Sequence, residues 1–276
     1  MDATFTVLVE NSTYERDLGA EHGLSIYIEA KPGNILFDTG ASGLFARNAE
    51  KMELELFGAD YVVISHGHYD HAGGIPRILG EAPNARLFIH KAALNTHYSK
   101  KGGVYHHAGL SEYQLDVLNN AEYGRVSLIE AETKLYEGAT VVPAKPITNI
   151  PPDWSFYIEE SRHKMAPDRF AHEVFLLLTG QKSSCLVTGC SHTGILPIIK
   201  QAEKIASRPL AYVVGGMHFT DMGEDEIIYI SNILLKKDIE YYTGHCTGID
   251  GYAIMSSIAP EKVFPISTGS EFRLKL

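Results

Sequence analysis

The sequence predicts an α/β protein built as a four-layer αββα sandwich, two β-sheets face to face with helices outside. Two observations predict it. A hairpin, a glycine turn, a helix, a buried strand and a histidine follow one another twice in the same order. The strands that end in histidines are continuous apolar runs, as expected where both faces are covered. In the first copy, after an opening strand at residues 4–10, the hairpin is 24–30 and 34–37 around Lys31-Pro32-Gly33. Asp38-Thr39-Gly40 makes the turn, and residues 44–56 make the helix, with Leu44, Phe45, Ala49, Met52 and Leu56 on one face. Tyr61-Val62-Val63-Ile64 is the strand and runs straight into Ser65-His66.

The second copy pairs 174–178 with 185–187 around Gly180-Gln181-Lys182, turns at Gly189-Cys190-Ser191-His192-Thr193-Gly194, and continues as a helix at 195–207. Ala211-Tyr212-Val213-Val214 then leads into Gly215-Gly216-Met217-His218. Residues 91–170 read as an insertion within one domain spanning 1–276. A helix at 224–237, a strand at 240–242, the turn Gly244-His245-Cys246-Thr247-Gly248, a helix near 250–258 and two short strands complete the chain.

Composition narrows the function. With 276 residues, 45% of them hydrophobic, the chain can bury a sizeable core, which excludes disordered and fibrous classes. Its 24 Lys and Arg against 34 Asp and Glu give a net charge of −10, which argues against a nucleic-acid partner. No apolar run is long enough for a membrane span and no basic-then-apolar leader opens the chain, so a cytoplasmic location is expected. The 3 cysteines, Cys185, Cys190 and Cys246, are odd in number and widely spaced, so free thiols are expected.

The chemistry concentrates in His66-Gly67-His68-Tyr69-Asp70-His71. At an extended strand exit, residues i and i+2 point the same way, so His66 and His68 can share one metal while Asp70 and His71 reach a second. Gly67 is expected to keep the backbone permissive between ligands, and Gly73-Gly74 to let the next helix start close to the metals. Such a ligand set suits Zn, Mn or Fe.

These residues, with the upstream Leu36-Phe37-Asp38-Thr39-Gly40, resemble the signature of the metallo-β-lactamase fold. Thr188-Gly189-Cys190-Ser191-His192-Thr193-Gly194, Gly215-Gly216-Met217-His218 and Gly244-His245-Cys246-Thr247-Gly248 resemble one subgroup of it. That subgroup comprises the 7,8-dihydropterin-6-methyl-4-(β-D-ribofuranosyl)aminobenzene-5′-phosphate synthases. The resemblance implies two divalent metal ions, with His192 completing the His66–His68 set and His245 completing the Asp70–His71 set. Most of the superfamily has Gly-Asp where this chain has Gly189-Cys190. Cys190 is expected to pack there as a small buried residue, with a thiolate ligand as the alternative. The usual third histidine precedes the second hairpin, at His172; His192 is preferred because glycines flank its turn. Asp38 is expected to orient a ligating histidine.

Beyond the metals, Asp70 and His218 are the candidate catalytic residues, and Asn11, His22, Lys91 and Tyr105 the candidate substrate contacts. His90 and His97 are expected to be surface or packing residues. The insertion is expected to form a lid, with Tyr98, Tyr105 and Trp154 as stacking surfaces and Lys91, Lys100, Lys101 and Arg162 as phosphate contacts. Two cations can neutralise a leaving diphosphate while an amine attacks the carbon left behind, and the resemblance implies this reaction, between a pterin diphosphate and an aminobenzene ribofuranosyl phosphate. They can equally lower the pKa of a water for hydrolysis of phosphodiester, ester or lactone bonds. A small, phosphorylated substrate is expected.

Overall fold

A computed structural model gives the fold and describes residues 2–161 and 164–276. Arg162, one of the expected phosphate contacts, lies outside the described residues. The first sheet runs, edge to edge, Glu271–Lys275, Asp2–Val9, Ser25–Ala30, Ile35–Phe37, Tyr61–Ile64, Arg86–His90 and Val126–Ile129. The second runs Val263–Pro265, Glu240–Thr243, Leu210–Gly215, Ser184–Thr188, Val174–Thr179, Ala139–Pro143 and Thr133–Tyr136.

Period-two alternation sorts each strand's residues between two cores. Phe5, Ile26, Ile28, Phe37 and Val63 from the first sheet meet Val141, Leu176, Val187 and Val214 from the second in the space between the sheets. Their neighbours Leu8, Tyr27, Leu36, Val62 and Ile64 face outward onto Phe45, Ile75 and Ile78 of the helices Leu44–Lys51 and Ile75–Glu81. On the other side Phe175, Leu177, Leu186 and Val213 pack on Ile195, Ile198 and Ile199 of the helix Ile195–Ile205. Three apolar layers between four layers of structure are the predicted sandwich.

Two expectations change. The helix expected at 44–56 stops at Lys51 because Glu53 turns left-handed at φ 56°, and Leu54 N–H then closes back on Ala49 C=O at 2.9 Å. That is a Schellman-type ending with a glutamate in the usual glycine place. The insertion is also narrower than 91–170, because Val126–Ile129 pairs in register with Arg86–His90 and Ala139–Pro143 with Val174–Thr179. What projects is a third sheet, Lys164–Pro167, Phe156–Ser161, His97–Lys101 and Val104–His107, flanking the site.

Candidate metal centre

In both sheets the strands that feed the site run parallel: Ile35–Phe37, Tyr61–Ile64 and Arg86–His90 in one, Ser184–Thr188, Leu210–Gly215 and Glu240–Thr243 in the other. Their carboxyl ends therefore open on the same edge of the sandwich, where such sheets bind ligands. Asp38, Ser65-His66, Cys190, His218 and His245 each follow one of these ends within three residues or fewer. Among the described residues with side chains, six have left-handed backbone, and five of them, Asp38, Phe170, Ser191, His218 and His245, surround this edge. Backbone strain of this kind, about 1–3 kcal/mol per residue, persists only where surrounding contacts enforce it. Gly67 is required by space as well: a Cβ there would lie 2.5 Å from the Ala93 carbonyl oxygen.

The ligand atoms of His66, His68 and His192 all lie within 4.8 Å of one another. Their three Nε2 atoms are buried and have no hydrogen-bond partner. Each buried polar atom left unpaired costs about 1–3 kcal/mol, so three cost an appreciable part of a domain's net stability of roughly 5–15 kcal/mol unless something binds them. Burial holds all three imidazoles well below their ordinary pKa, so they are neutral. The tautomer of His66 follows from its neighbours. Ser65 Oγ donates to Asp38 Oδ2 at 2.7 Å and therefore accepts from His66 Nδ1 at 2.9 Å, leaving the lone pair on Nε2. Three convergent, dry imidazole lone pairs fit a divalent transition metal.

Beside them lies a second cluster. His71 Nε2 is 3.1 Å from His245 Nε2 and 3.7 Å from Asp70 Oδ2, and Asp70 Oδ2 is 3.5 Å from His245 Nε2. Asp38 Oδ2 accepts from His71 Nδ1 at 2.7 Å, which orients that ring as expected. Asn11 Oδ1 accepts from His245 Nδ1 at 2.9 Å, and Glu10 Oε1 accepts from the His245 amide at 2.6 Å. Burial would lower the pKa of His71, but the charges of Asp38 and Asp70 raise it to about 9. Burial would raise that of Asp70, but His71, His22 and His245 hold it well below the usual carboxylate range. Asp70, His71 and His245 would hold a metal here in exchange for the proton on His71.

Cys190 is buried, 3% exposed. Its Sγ is 3.1 Å from His71 Nε2, shares one group with His66 and His71, and shares another with His245 and Cys246. The thiol thus stands between the two clusters. Burial raises its pKa well above the ordinary value.

The sequence matches the family described as "Metallo-beta-lactamase superfamily" over residues 18–230. The chain belongs to that superfamily. Among curated proteins it is 27% identical over 257 residues to an uncharacterized protein of Methanocaldococcus jannaschii, covering 91% of this chain and 93% of the relative. It is 25% identical over 273 residues to the 7,8-dihydropterin-6-methyl-4-(β-D-ribofuranosyl)-aminobenzene-5′-phosphate synthase of the same organism, covering 88% and 87%. A solved structure described as a metal-dependent hydrolase of the β-lactamase superfamily superposes with a TM-score of 0.82 at 28% identity, covering 99% of each chain. The chain is an enzyme of this superfamily, and its histidine clusters are groups that could hold a metal ion.

A metallo-β-lactamase cavity of about 460 Å³ opens over both clusters, bounded by His22, His68, Asp70, Cys190, His192 and His218. His22 Nε2 lies 3.2 Å from Asp70 Oδ2. The His218 ring is 4.3 Å, centroid to centroid, from that of His192. Asn11 lines the wall, although its carboxamide is spent on His245 and on Gly23 N–H. Ser99 and Lys101 of the third sheet join this lining, while Lys100 turns its ammonium to the other face of the sheet, over Tyr105 and Tyr157.

Three expectations are corrected. Lys91 does not reach the cavity: it follows the strand Arg86–His90 and pairs with Glu130 at 3.7 Å. Tyr105 stands outside the wall, its ring 5.1 Å from that of Tyr157 and beneath the Lys100 ammonium at 5.2 Å. Trp154 is turned inward, donating Nε1–H to Asp168 C=O at 3.0 Å and packing on Phe156 and Phe170. The aromatic that does line the cavity is Phe156, 5.1 Å from His192 and 5.6 Å from His218, and no local pattern in the sequence marks it. Asp168 and Glu173 carry no local signal either, and of the two places expected for His97, surface or packing, the structure gives packing: it is 1% exposed and paired with Asp168 at 2.7 Å. His97 and Asp168 are 71 residues apart, so only the fold reveals that pair.

Proposed function

We propose that this enzyme holds two divalent metals, one on His66, His68 and His192 and one on Asp70, His71 and His245 with Cys190 between them. Its reaction joins a pterin diphosphate to an aminobenzene ribofuranosyl phosphate and releases diphosphate. The observation that carries the reading is the cavity itself, whose lining brings residues of both ligand clusters together with the cation Lys101. That layout suits a substrate with two anionic ends in a protein whose net charge is −10. The relative named as a synthase supports the bond-forming chemistry.

Bound metals would neutralise the diphosphate as the carbon–oxygen bond breaks. The chain's own residues do the rest. Lys101, on the strand face shared with Ser99 and its partner Phe156, binds phosphate. Phe156 offers a ring edge to a flat heterocycle. His218, on the cavity wall beside His192, takes the proton that the attacking amine loses as the carbon–nitrogen bond forms. The sulfur of Cys190 favours zinc or iron over manganese.

A second reading, hydrolysis of a phosphodiester, ester or lactone, is favoured by the superposing structure described as a metal-dependent hydrolase. Metal-loaded protein incubated with both pterin-pathway substrates should yield the condensed product and stoichiometric diphosphate. Cleavage of simple phosphodiesters or lactones with both those substrates unchanged would replace the synthase with the hydrolase.

A further inference from the structure

His172 occupies the place where most of the superfamily has its third metal ligand, yet both of its ring nitrogens are already committed. Nδ1 accepts from the Gly67 amide at 2.9 Å, so its lone pair is used. The neutral ring then carries its proton on Nε2 and gives it to Asp168 Oδ2 at 3.2 Å. The same Asp168 oxygen takes His97 Nδ1 at 2.7 Å, and the other oxygen takes the Phe170 amide at 2.7 Å. His97, Asp168 and His172 are 1%, 3% and 1% exposed, so this chain of bonds is dry and stiff.

Two branches from Asp168, through His172 and through Phe170, lead to the tri-imidazole cluster. Gly67 is the residue between His66 and His68. Phe170, held at φ 53°, lies flat on His192, with centroids 4.1 Å apart and planes 2° off parallel. Glu173, next to His172, accepts from the amides of His192 and Thr193 at 2.7 and 2.8 Å and from the Thr193 hydroxyl at 2.7 Å.

We propose that His172 is a positioning residue: anchored on Asp168, it holds the Gly67 amide and so sets the spacing of His66 and His68, while Phe170 and Glu173 of the same segment set His192. His192 then carries the ligand role and His172 the scaffold beneath it. Because His97 opens the strand His97–Lys101, whose later residues form the cavity wall, wall and ligands hang from one carboxylate. This rests on the reading that His66, His68 and His192 bind metal.

The test is a Co²⁺ titration of chelator-stripped full-length protein, resolving the affinities of the two sites. His172→Gln, whose amide can accept from Gly67 and donate to Asp168, should keep the tri-histidine affinity. His172→Met, of similar volume but with neither bond, should lose roughly 10- to 100-fold at that site. Asp168→Asn should weaken the same site and leave the other unchanged, and it serves if His172→Met does not fold. Equal losses in the Gln and Met variants would make His172 a ligand and overturn the proposal, as would no loss in either, or equal loss at both sites in Asp168→Asn. His192→Ala separates the two failures: if it keeps the tri-histidine site intact, the ligand reading is what fails.

Discussion

The ring of Phe170 lies on that of His192, centroids 4.1 Å apart and planes 2° off parallel. A buried stack of this kind contributes about 0.5–1.5 kcal/mol beyond the area it covers. Phe170→Leu fills much of the space without offering a ring face, and it should weaken metal binding at the tri-histidine site by roughly 3- to 10-fold. Competition against a chelating dye measures this; unchanged affinity would mean that the stack does not set the His192 ring.

Cys190 gives a separate handle on the second cluster. With Sγ 3.1 Å from His71 Nε2, Cys190→Ser should reduce metal affinity there and abolish the sulfur-to-metal charge-transfer band of the cobalt-substituted protein. The band persisting in the serine variant would return Cys190 to the packing role that free cysteines often have.

Lys101 reports on the substrate. Loss of one charge-assisted contact of about 1.5–3 kcal/mol should raise KM for a phosphorylated substrate by at least roughly tenfold in Lys101→Ala. Metal content should not change. An unaltered KM would remove phosphate binding from the third sheet.

Acid should unfold the metal-free protein early. Burial places His172 at about 4 and holds His66, His68 and His192 well below their usual value, so each folded-state pKa is depressed. The unfolded chain therefore takes up these protons first. The contribution of these four rings is fully present above about pH 6.5 and is lost as pH falls from there, by up to about 1.4 kcal/mol per pH unit for each histidine. Melting of stripped protein followed across this range should show the fall; a flat profile would contradict neutral burial of these rings.

The sequence made some of this legible and not the rest, for physical reasons. His66, His68, Asp70 and His71 were readable because four ligand-type side chains crowd the exit of one buried strand, where local spacing alone sets their directions. The sandwich was readable because its repeated order is local too. The end of the helix at Lys51 was not, since a glutamate rather than a glycine takes the left-handed position. The supporting network was hidden by distance along the chain: Gly67 and His172 are 105 residues apart and His245 and Asn11 are 234 apart. Tyr105 and Trp154 look in the sequence like surfaces for a flat substrate, and only packing shows that one steadies Lys100 and the other faces Asp168.

The central claim is that His192, and not His172, completes the first of two metal sites. Elemental analysis of dialysed protein, counting metal ions per chain, tests it most directly. Wild-type protein should retain two, His192→Ala one, and His172→Gln two; one ion in His172→Gln with two in His192→Ala would contradict the account.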